Sequence, residues 1–187
     1  MYVDEDRKGL SFRDVGEYLL LGGGAHRTGK QGGNWAELAA FARRRYPDFR
    51  TVRRFAAQDC MTLDGMPYIG QYSPRTPQLY VATGFNKWGM TSSMVAARLL
   101  CDLLTDRPSP YTALFSPARS VLRPQLAINI AESTKNLLTP TAPRCPHLGC
   151  ALKWNSREHS WDCPCHGSRF DEDGHLLDGP ATDDLPQ

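Results

Sequence analysis

The chain has no uninterrupted apolar run of the roughly 18 residues that a membrane helix requires, and no charged start followed by an apolar stretch. A spanning helix and a secretory leader are therefore not expected, and cytoplasm is the expected location. Charge of one sign is also missing. The 22 Lys and Arg residues against 20 Asp and Glu residues leave a net charge of +2, which gives no general attraction for nucleic acid or membrane. The basic runs Arg43-Arg44-Arg45 and Arg53-Arg54 read as solvated faces. There is no internal repeat and no low-complexity tract. Cysteine is scarce, with six in 187 residues, too few for a disulfide scaffold in a chain without a secretion signal. The four crowded between positions 145 and 165 point instead to metal or redox chemistry. Cys60 and Cys101 read as buried thiols. With 41% hydrophobic residues, what remains is an ordinary globular protein of one or two domains.

The chemistry concentrates near the C-terminus, in Cys145-Pro146-His147-Leu148-Gly149-Cys150 and Cys163-Pro164-Cys165-His166-Gly167-Ser168. A Rieske [2Fe–2S] centre needs two thiolates on one iron and two neutral imidazoles on the other. One Cys and one His from each loop, spaced C-x-H and C-x-x-H, meet that need. Structural zinc is the rival, since Cys2His2 is also a zinc ligand set. Zinc fingers, however, pair Cys with Cys and His with His along the chain, and each loop here mixes the two. Cys150 and Cys165 are left over and sit in equivalent places in the two loops.

These two segments resemble the Rieske proteins of respiratory and photosynthetic quinol-oxidising complexes, down to a later Gly179-Pro180-Ala181. The match covers roughly residues 144–182. The resemblance implies that Cys145 and Cys163 hold the inner iron, that His147 and His166 hold the outer one, and that Cys150 and Cys165 bridge the loops by a disulfide. On the chain-entropy model such a closed loop of about 15 residues gives on the order of 3 kcal/mol, useful in a segment too small to bury much core. The family places a Ser and a Tyr hydroxyl beside the cluster sulfurs. Here Ser168 is kept and Phe170 replaces the Tyr, so one hydrogen bond to the reduced cluster is expected to be missing. The potential is then expected below the top of the roughly −150 to +300 mV Rieske range. His147 and His166 would be the exposed exit for electrons.

Upstream, residues 10–13 and 17–21 read as strands of a hairpin turning at Asp14-Val15-Gly16. Asn34 is placed to cap a helix over 35–45, with Leu38, Phe41 and Ala42 on one face, Arg43 to Arg45 at its positive end and Pro47 as its stop. Strands are expected at 51–58, 67–71 and 78–83. A helix is expected over 90–105, with Met94, Ala97, Leu100, Cys101 and Leu104 as its apolar face and Thr91 or Ser92 as its cap. Pro108, Pro110, Pro117 and Pro124 argue for an extended connection over 106–124. A linker helix would carry Leu122, Leu126 and Ile130 on one face, with Pro124 near its first turn.

Thr62-Leu63-Asp64-Gly65-Met66-Pro67-Tyr68-Ile69-Gly70 and Tyr80-Val81-Ala82-Thr83-Gly84-Phe85-Asn86-Lys87-Trp88-Gly89-Met90-Thr91 resemble the D-amino-acid-oxidase-like flavoproteins over roughly residues 1–105. The resemblance implies FAD as cofactor and oxidation of an amine or amino acid, two electrons passing from substrate to flavin and then singly through the cluster. Gly84 and Gly89 would allow close approach to the isoalloxazine ring, the N–H groups of Met90 and Thr91 would face it at a helix N-terminus, and Lys87 would add positive charge. No G-x-G-x-x-G follows a first strand. The dinucleotide-binding half is absent, and the chain is expected to be the C-terminal portion of a longer enzyme, unable to hold FAD tightly alone.

Gly24-Ala25-His26-Arg27-Thr28-Gly29-Lys30 fits G-x-x-x-x-G-K, but Gln31 stands where a P-loop needs Ser or Thr. A solvated loop is the expectation, with a substrate- or flavin-facing loop carrying His26 and Arg27 as the alternative. The expected architecture is α+β: residues 1–120 a partial antiparallel-sheet substrate and flavin domain with two helices, 121–143 a linker with a helix, and 144–187 a small all-β cluster domain. Expected partners are a redox partner protein or the missing FAD-binding half. Alternatives are a stand-alone ferredoxin-like carrier and a zinc-binding structural module.

Overall fold

A computed structural model describes residues 2–4, 9–32 and 35–186. The elements run β1 (Tyr2–Val3), β2 (Ser11–Val15), β3 (Tyr18–Gly22), α1 (Trp35–Arg45), β4 (Tyr68–Ser73), β5 (Thr76–Thr83), α2 (Gly89–Leu104), α3 (Thr112–Phe115), α4 (Pro124–Leu138), β6 (Lys153–Asn155), β7 (Ser160–Asp162), β8 (Arg169–Phe170) and β9 (Leu176–Asp178). The mixed α+β class is the expected one. By contacts the chain forms two compact units, Met1–Ala56 with Ala131–Gln187, and Ala57–Ile130. By contact, the first 56 residues group with residues 131–187.

In the first unit, β1, β2 and β3 form an antiparallel sheet in that order. The β2–β3 pairing closes at Val15 opposite Tyr18, and Gly16 supplies the left-handed φ of +61° that the turn needs. α1 lies on this sheet through Phe41, whose ring is 5.6 Å from that of Phe12. Its C-terminal arginines stay exposed. The expected Asn34 cap lies outside the described residues. The cluster segment adds a four-stranded antiparallel meander, β6-β7-β8-β9. Its core is small: Cys145, Cys150, Leu152, Cys163, Phe170 and Ala181, with Trp161, Cys165, Leu176 and Leu185 at the edge.

A buried ionic network supplements that core. Arg169, only 6% exposed, lies 3.2 Å from Asp162 and 3.6 Å from Asp178 and also pairs with Glu158. A buried guanidinium persists only when its donors find partners. Among the described residues no buried side-chain nitrogen or oxygen lacks one.

In the second unit the β4–β5 hairpin packs against α2 around Ile69, Ala96 and Leu99, with Phe85, Leu100, Leu103 and Phe115 beside them. Four expectations need correction here and just upstream. The strand expected at 51–58 does not form, because residues 50–61 are all exposed and no neighbouring strand takes up their backbone groups. The buried stripe of α2 is Ser92, Ala96 and Leu99, and of the expected face only Leu100 packs against it. Met94 is 73% and Leu104 65% exposed, and Ala97 and Cys101 are exposed with them. Cys60 and Cys101 are exposed rather than buried. The proline-rich connection contains the short helix α3; α4 begins at Pro124, as expected, and runs to Leu138.

α2 is preceded by Trp88 at its N-cap, which gives no side-chain cap hydrogen bond; Ser92, one of the two expected caps, is instead buried in its first turns. No helix among the described residues is long and apolar enough to cross a membrane.

Candidate functional site

The two Cys- and His-bearing loops share one backbone pattern. The N–H of Cys145 donates to the carbonyl of Cys150 at 2.9 Å and that of Gly149 to Cys145 at 2.8 Å. In the second loop Cys163 donates to Ser168 at 2.8 Å and Gly167 to Cys163 at 3.0 Å. The turn closes in each loop on a glycine of positive φ, +74° at Gly149 and +94° at Gly167, where a side chain would be strained. This hydrogen-bond pattern matches Cys145 with Cys163 and Cys150 with Ser168. Cys150 and Cys165 therefore do not occupy equivalent places, as the sequence suggested, since Cys165 matches His147.

The shared turn directs Cys145 and Cys163 inward, at 2% and 1% exposure, and leaves His147 and His166 at the surface. The two imidazoles meet edge to face with ring centres 5.1 Å apart. Burial, and then the neighbouring His147, hold His166 below the usual imidazole range, which favours the neutral ring that metal ligation needs. Burial pushes the Cys163 thiol up and Cys165 up to about 12. A buried thiol of this kind becomes a thiolate only with a cation beside it. Two buried sulfurs on one side and two solvent-facing imidazoles on the other fit a [2Fe–2S] group.

Cys150 and Cys165 are free thiols in this structure, so the expected bridge is not formed. The sulfurs of Cys150, Cys163 and Cys165 lie within 4.8 Å of one another, a gathering of three thiols that the sequence did not reveal. Ser168, fully buried, accepts a hydrogen bond on its Oγ from the N–H of Ala181 at 3.0 Å. That bond ties the Gly179-Pro180-Ala181 segment to the second loop. Phe170 is fully buried in the same core as Cys145 and Cys163; Pro180 is exposed.

The expected flavin-facing residues lie at the β5–α2 turn. Gly84 has φ +67°, and a Cβ there would stand 2.3 Å from Thr62 Cγ2. Its missing side chain is thus already required by Thr62. Gly89 has nothing within 4 Å of a would-be Cβ, and Met90 and Thr91 are exposed at the uncapped start of α2. Lys87 is paired with Asp59 at 2.7 Å. The turn is knotted by Asn86, which sequence reasoning passed over. Its Oδ1 accepts from the Thr62 N–H at 2.9 Å, and its Nδ2 donates to Gly65 and Gly84 carbonyls at 3.0 and 3.1 Å.

The G-x-x-x-x-G-K segment is no phosphate cradle. Lys30 is engaged by Glu132 at 2.7 Å, and His26 faces Glu158 at 3.8 Å.

Two matched loops with buried thiols and exposed paired imidazoles, on a small antiparallel sheet, define an iron–sulfur electron-transfer module of the Rieske type. It follows a hairpin-and-helix unit built from β4, β5 and α2. Residues 1–103 match the FAD dependent oxidoreductase family and residues 118–187 the Rieske [2Fe-2S] domain. The chain belongs to the FAD dependent oxidoreductase family and carries a Rieske domain behind that region. The cofactors of the two regions are FAD and a [2Fe–2S] cluster.

Over its whole length the chain is 33% identical to YhfW of Bacillus subtilis, named a Rieske 2Fe-2S iron-sulfur protein, and spans 46% of that protein. Over 37 residues, a fifth of either chain, it is 54% identical to the cytochrome b6-f complex iron-sulfur subunit of Nostoc punctiforme. The subunit from Cyanophora paradoxa is 51% identical over 37 residues. The chain thus spans less than half the length of these relatives. No solved structure matches it.

Proposed function

We propose that this chain is the electron-transfer portion of an FAD-dependent oxidoreductase acting on an amine or amino acid, and that Cys145, His147, Cys163 and His166 hold its [2Fe–2S] cluster. The observation that carries the reading is the matched hydrogen-bonding of the two loops, which buries Cys145 and Cys163 and sets the exposed rings of His147 and His166 5.1 Å apart. When bound, such a centre takes up and releases one electron at a time. The chain's part is to keep the sulfur side dry and to leave the imidazole edges open to a redox partner protein. Ring nitrogens at the surface couple proton uptake to reduction.

The turn with Gly84, Gly89, Met90 and Thr91 is the flavin-facing part in this reading. Support comes from the start of α2, a 16-residue helix whose first turn has no side-chain cap and so offers N–H donors to an anionic ring. The FAD-binding half would cover the exposed Met90, Met94 and Leu104. The Cys150–Cys165 bridge belongs to the same proposal, as do the cytoplasmic location and the 1–120, 121–143 and 144–187 division.

The three gathered thiols favour one rival, a structural zinc site, because zinc takes thiolates in fours or threes with His. Iron, acid-labile sulfide and zinc assays on anaerobically purified chain separate the two. Two irons and two sulfides per chain, with a rhombic EPR signal after dithionite, are expected. Zinc without sulfide overturns the reading.

A further inference from the structure

The two cluster loops are alike in backbone hydrogen bonding but not in surroundings: Pro146 of the first is exposed, whereas the matching Pro164 of the second is buried. What covers Pro164 is Gly29. Gly29 is buried with φ +78°, and a Cβ on it would lie 2.4 Å from Pro164 Cβ, 2.7 Å from its Cα and 2.9 Å from its N. Only a residue without a side chain permits that approach. Pro164 is itself the residue between Cys163 and Cys165, so the contact falls on the backbone of the ligand-bearing turn.

Side chains that follow Gly29 fix the approach. Lys30 reaches Glu132 at 2.7 Å, and Gln31 donates to the Trp154 carbonyl at 2.9 Å. Trp35 Nε1 donates to the Arg157 carbonyl at 3.0 Å. Within the segment, Gly32 lies against the His26 ring, where a Cβ would stand 1.9 Å from Cγ. The segment therefore has a shape of its own that presents Gly29 to Pro164. It lies in the part of the chain that matches the flavoenzyme family, yet each of these contacts is with residues 118–187, the part that matches the Rieske domain, or within itself.

We propose that Gly29 is a positioning residue for the iron–sulfur centre: the Gly24–Gly32 segment is a wall of the cluster domain that seats the second cluster-binding loop through Pro164. This rests on the reading of the loops as a [2Fe–2S] site. Displacing Pro164 moves the Cys163 sulfur and the His166 ring together, because the Cys163–Ser168 and Gly167–Cys163 hydrogen bonds hold the turn as one piece.

The test compares Gly29→Ala with Gly16→Ala in the full chain. Gly16 also has positive φ, +61°, but nothing within 4 Å of a would-be Cβ, so it carries the same kind of backbone strain without the contact. Gly29→Ala is expected to lower the iron and sulfide content per chain and to alter the rhombic EPR signal and midpoint potential, while Gly16→Ala keeps all three. Wild-type content, signal and potential in Gly29→Ala overturn the proposal, and so does an equal change in both variants. If Gly29→Ala does not fold, Lys30→Met and Trp35→Phe release the flanking tethers and are expected to reduce cluster content; unchanged content in both overturns the proposal. A wild-type chain without iron and sulfide sinks the cluster reading instead. The wall is then read in metal-free chain by the alkylation rate of Cys165, expected to rise in Gly29→Ala, an unchanged rate counting against the wall.

Discussion

Arg119 holds Asp64 by both carboxylate oxygens, Nε donating to Oδ2 at 2.7 Å and Nη2 to Oδ1 at 2.9 Å. Its Nη1 also donates to the Pro67 carbonyl at 2.9 Å, and its guanidinium carbon stands 3.8 Å from the centre of the Tyr68 ring. Planar, bidentate and stacked at once, this is a geometry that Arg can provide and Lys cannot. The Asp-Gly-x-Pro segment of the flavoenzyme-like unit is thereby fastened to the chain that follows α3. Asp64, the acidic residue of the motif, is structural.

The clamp makes stability depend on acid pH in a definite direction. The hydrogen bond from Arg119 holds the Asp64 carboxyl well below the usual carboxylate range. A depressed carboxylate contributes stability that is complete above its unfolded pKa of about 4 and is lost as pH falls through the lower folded value. Wild-type melting is expected to be flat from about pH 7 to pH 5 and to fall below about pH 4. Arg119→Ala is expected to cost about 3 kcal/mol at neutral pH, since it leaves a nearly buried carboxylate unpaired. Wild type and variant falling in parallel below pH 4 would remove the clamp as the cause.

Gly84 and Gly89 are expected to behave differently although the flavoprotein resemblance treats them alike. Gly84→Ala combines a positive φ with a Cβ 2.3 Å from Thr62 Cγ2, and is expected to destabilise by about 2 kcal/mol. Gly89→Ala enters open space at the first position of α2 and is expected to shift stability by less than about 0.5 kcal/mol. Thermal melts of the flavin-free chain decide it. A neutral Gly84→Ala would mean that its glycine is kept for the flavin and not for Thr62.

What was legible in the sequence was local. The cluster loops could be read because Cys, His and Gly recur within a few positions, and the hairpins and α1 because their turns and stops are adjacent residues. α2 was located correctly but faced wrongly, since Met94, Ala97 and Leu104 make a second apolar stripe as convincing as the Ser92–Ala96–Leu99 one that β4 covers. The partners of Asp64, Gly29 and Asn86 were out of reach for a different reason. Arg119 is 55 residues from Asp64, and Pro164 is further still from Gly29, so no periodicity links them.

Cys150 and Cys165 test whether the cluster loops are joined as well as adjacent. Their sulfurs lie within 4.8 Å of each other and of Cys163, and burial raises the Cys165 thiol to about 12, so at neutral pH Cys165 is a poor nucleophile, and joining it to Cys150 needs an oxidant such as dioxygen to take up the two electrons released. In protein exposed to air, alkylation without reductant is expected to spare both residues. The oxidised form should be more stable than Cys165→Ala by about 3 kcal/mol for a loop of roughly 15 residues. Labelling of both thiols in air-exposed, cluster-loaded protein would show that the bridge is not used.

Ser168 and Phe170 should set the potential in opposite senses. The fully buried Oγ of Ser168 accepts from the N–H of Ala181, a residue in one core with Cys145 and Cys163, which leaves the hydroxyl proton available to donate to a cluster sulfur. Phe170 occupies that core with no donor. A donor stabilises the more negative, reduced state, and one hydrogen bond of about 1 kcal/mol corresponds to roughly 40 mV for a one-electron couple. Ser168→Ala is therefore expected to lower the midpoint potential by about 40 mV and Phe170→Tyr to raise it by a similar amount, read by EPR-monitored redox titration. Phe170→Tyr places a hydroxyl in a fully buried site, so a potential that stays put while the melting temperature drops would show that the new donor finds no sulfur there. Ser168→Ala then stands as the separate measure, and an unchanged potential in both variants would mean that solvent exposure of the His147 and His166 edge, rather than hydrogen bonding at the buried sulfurs, governs the couple.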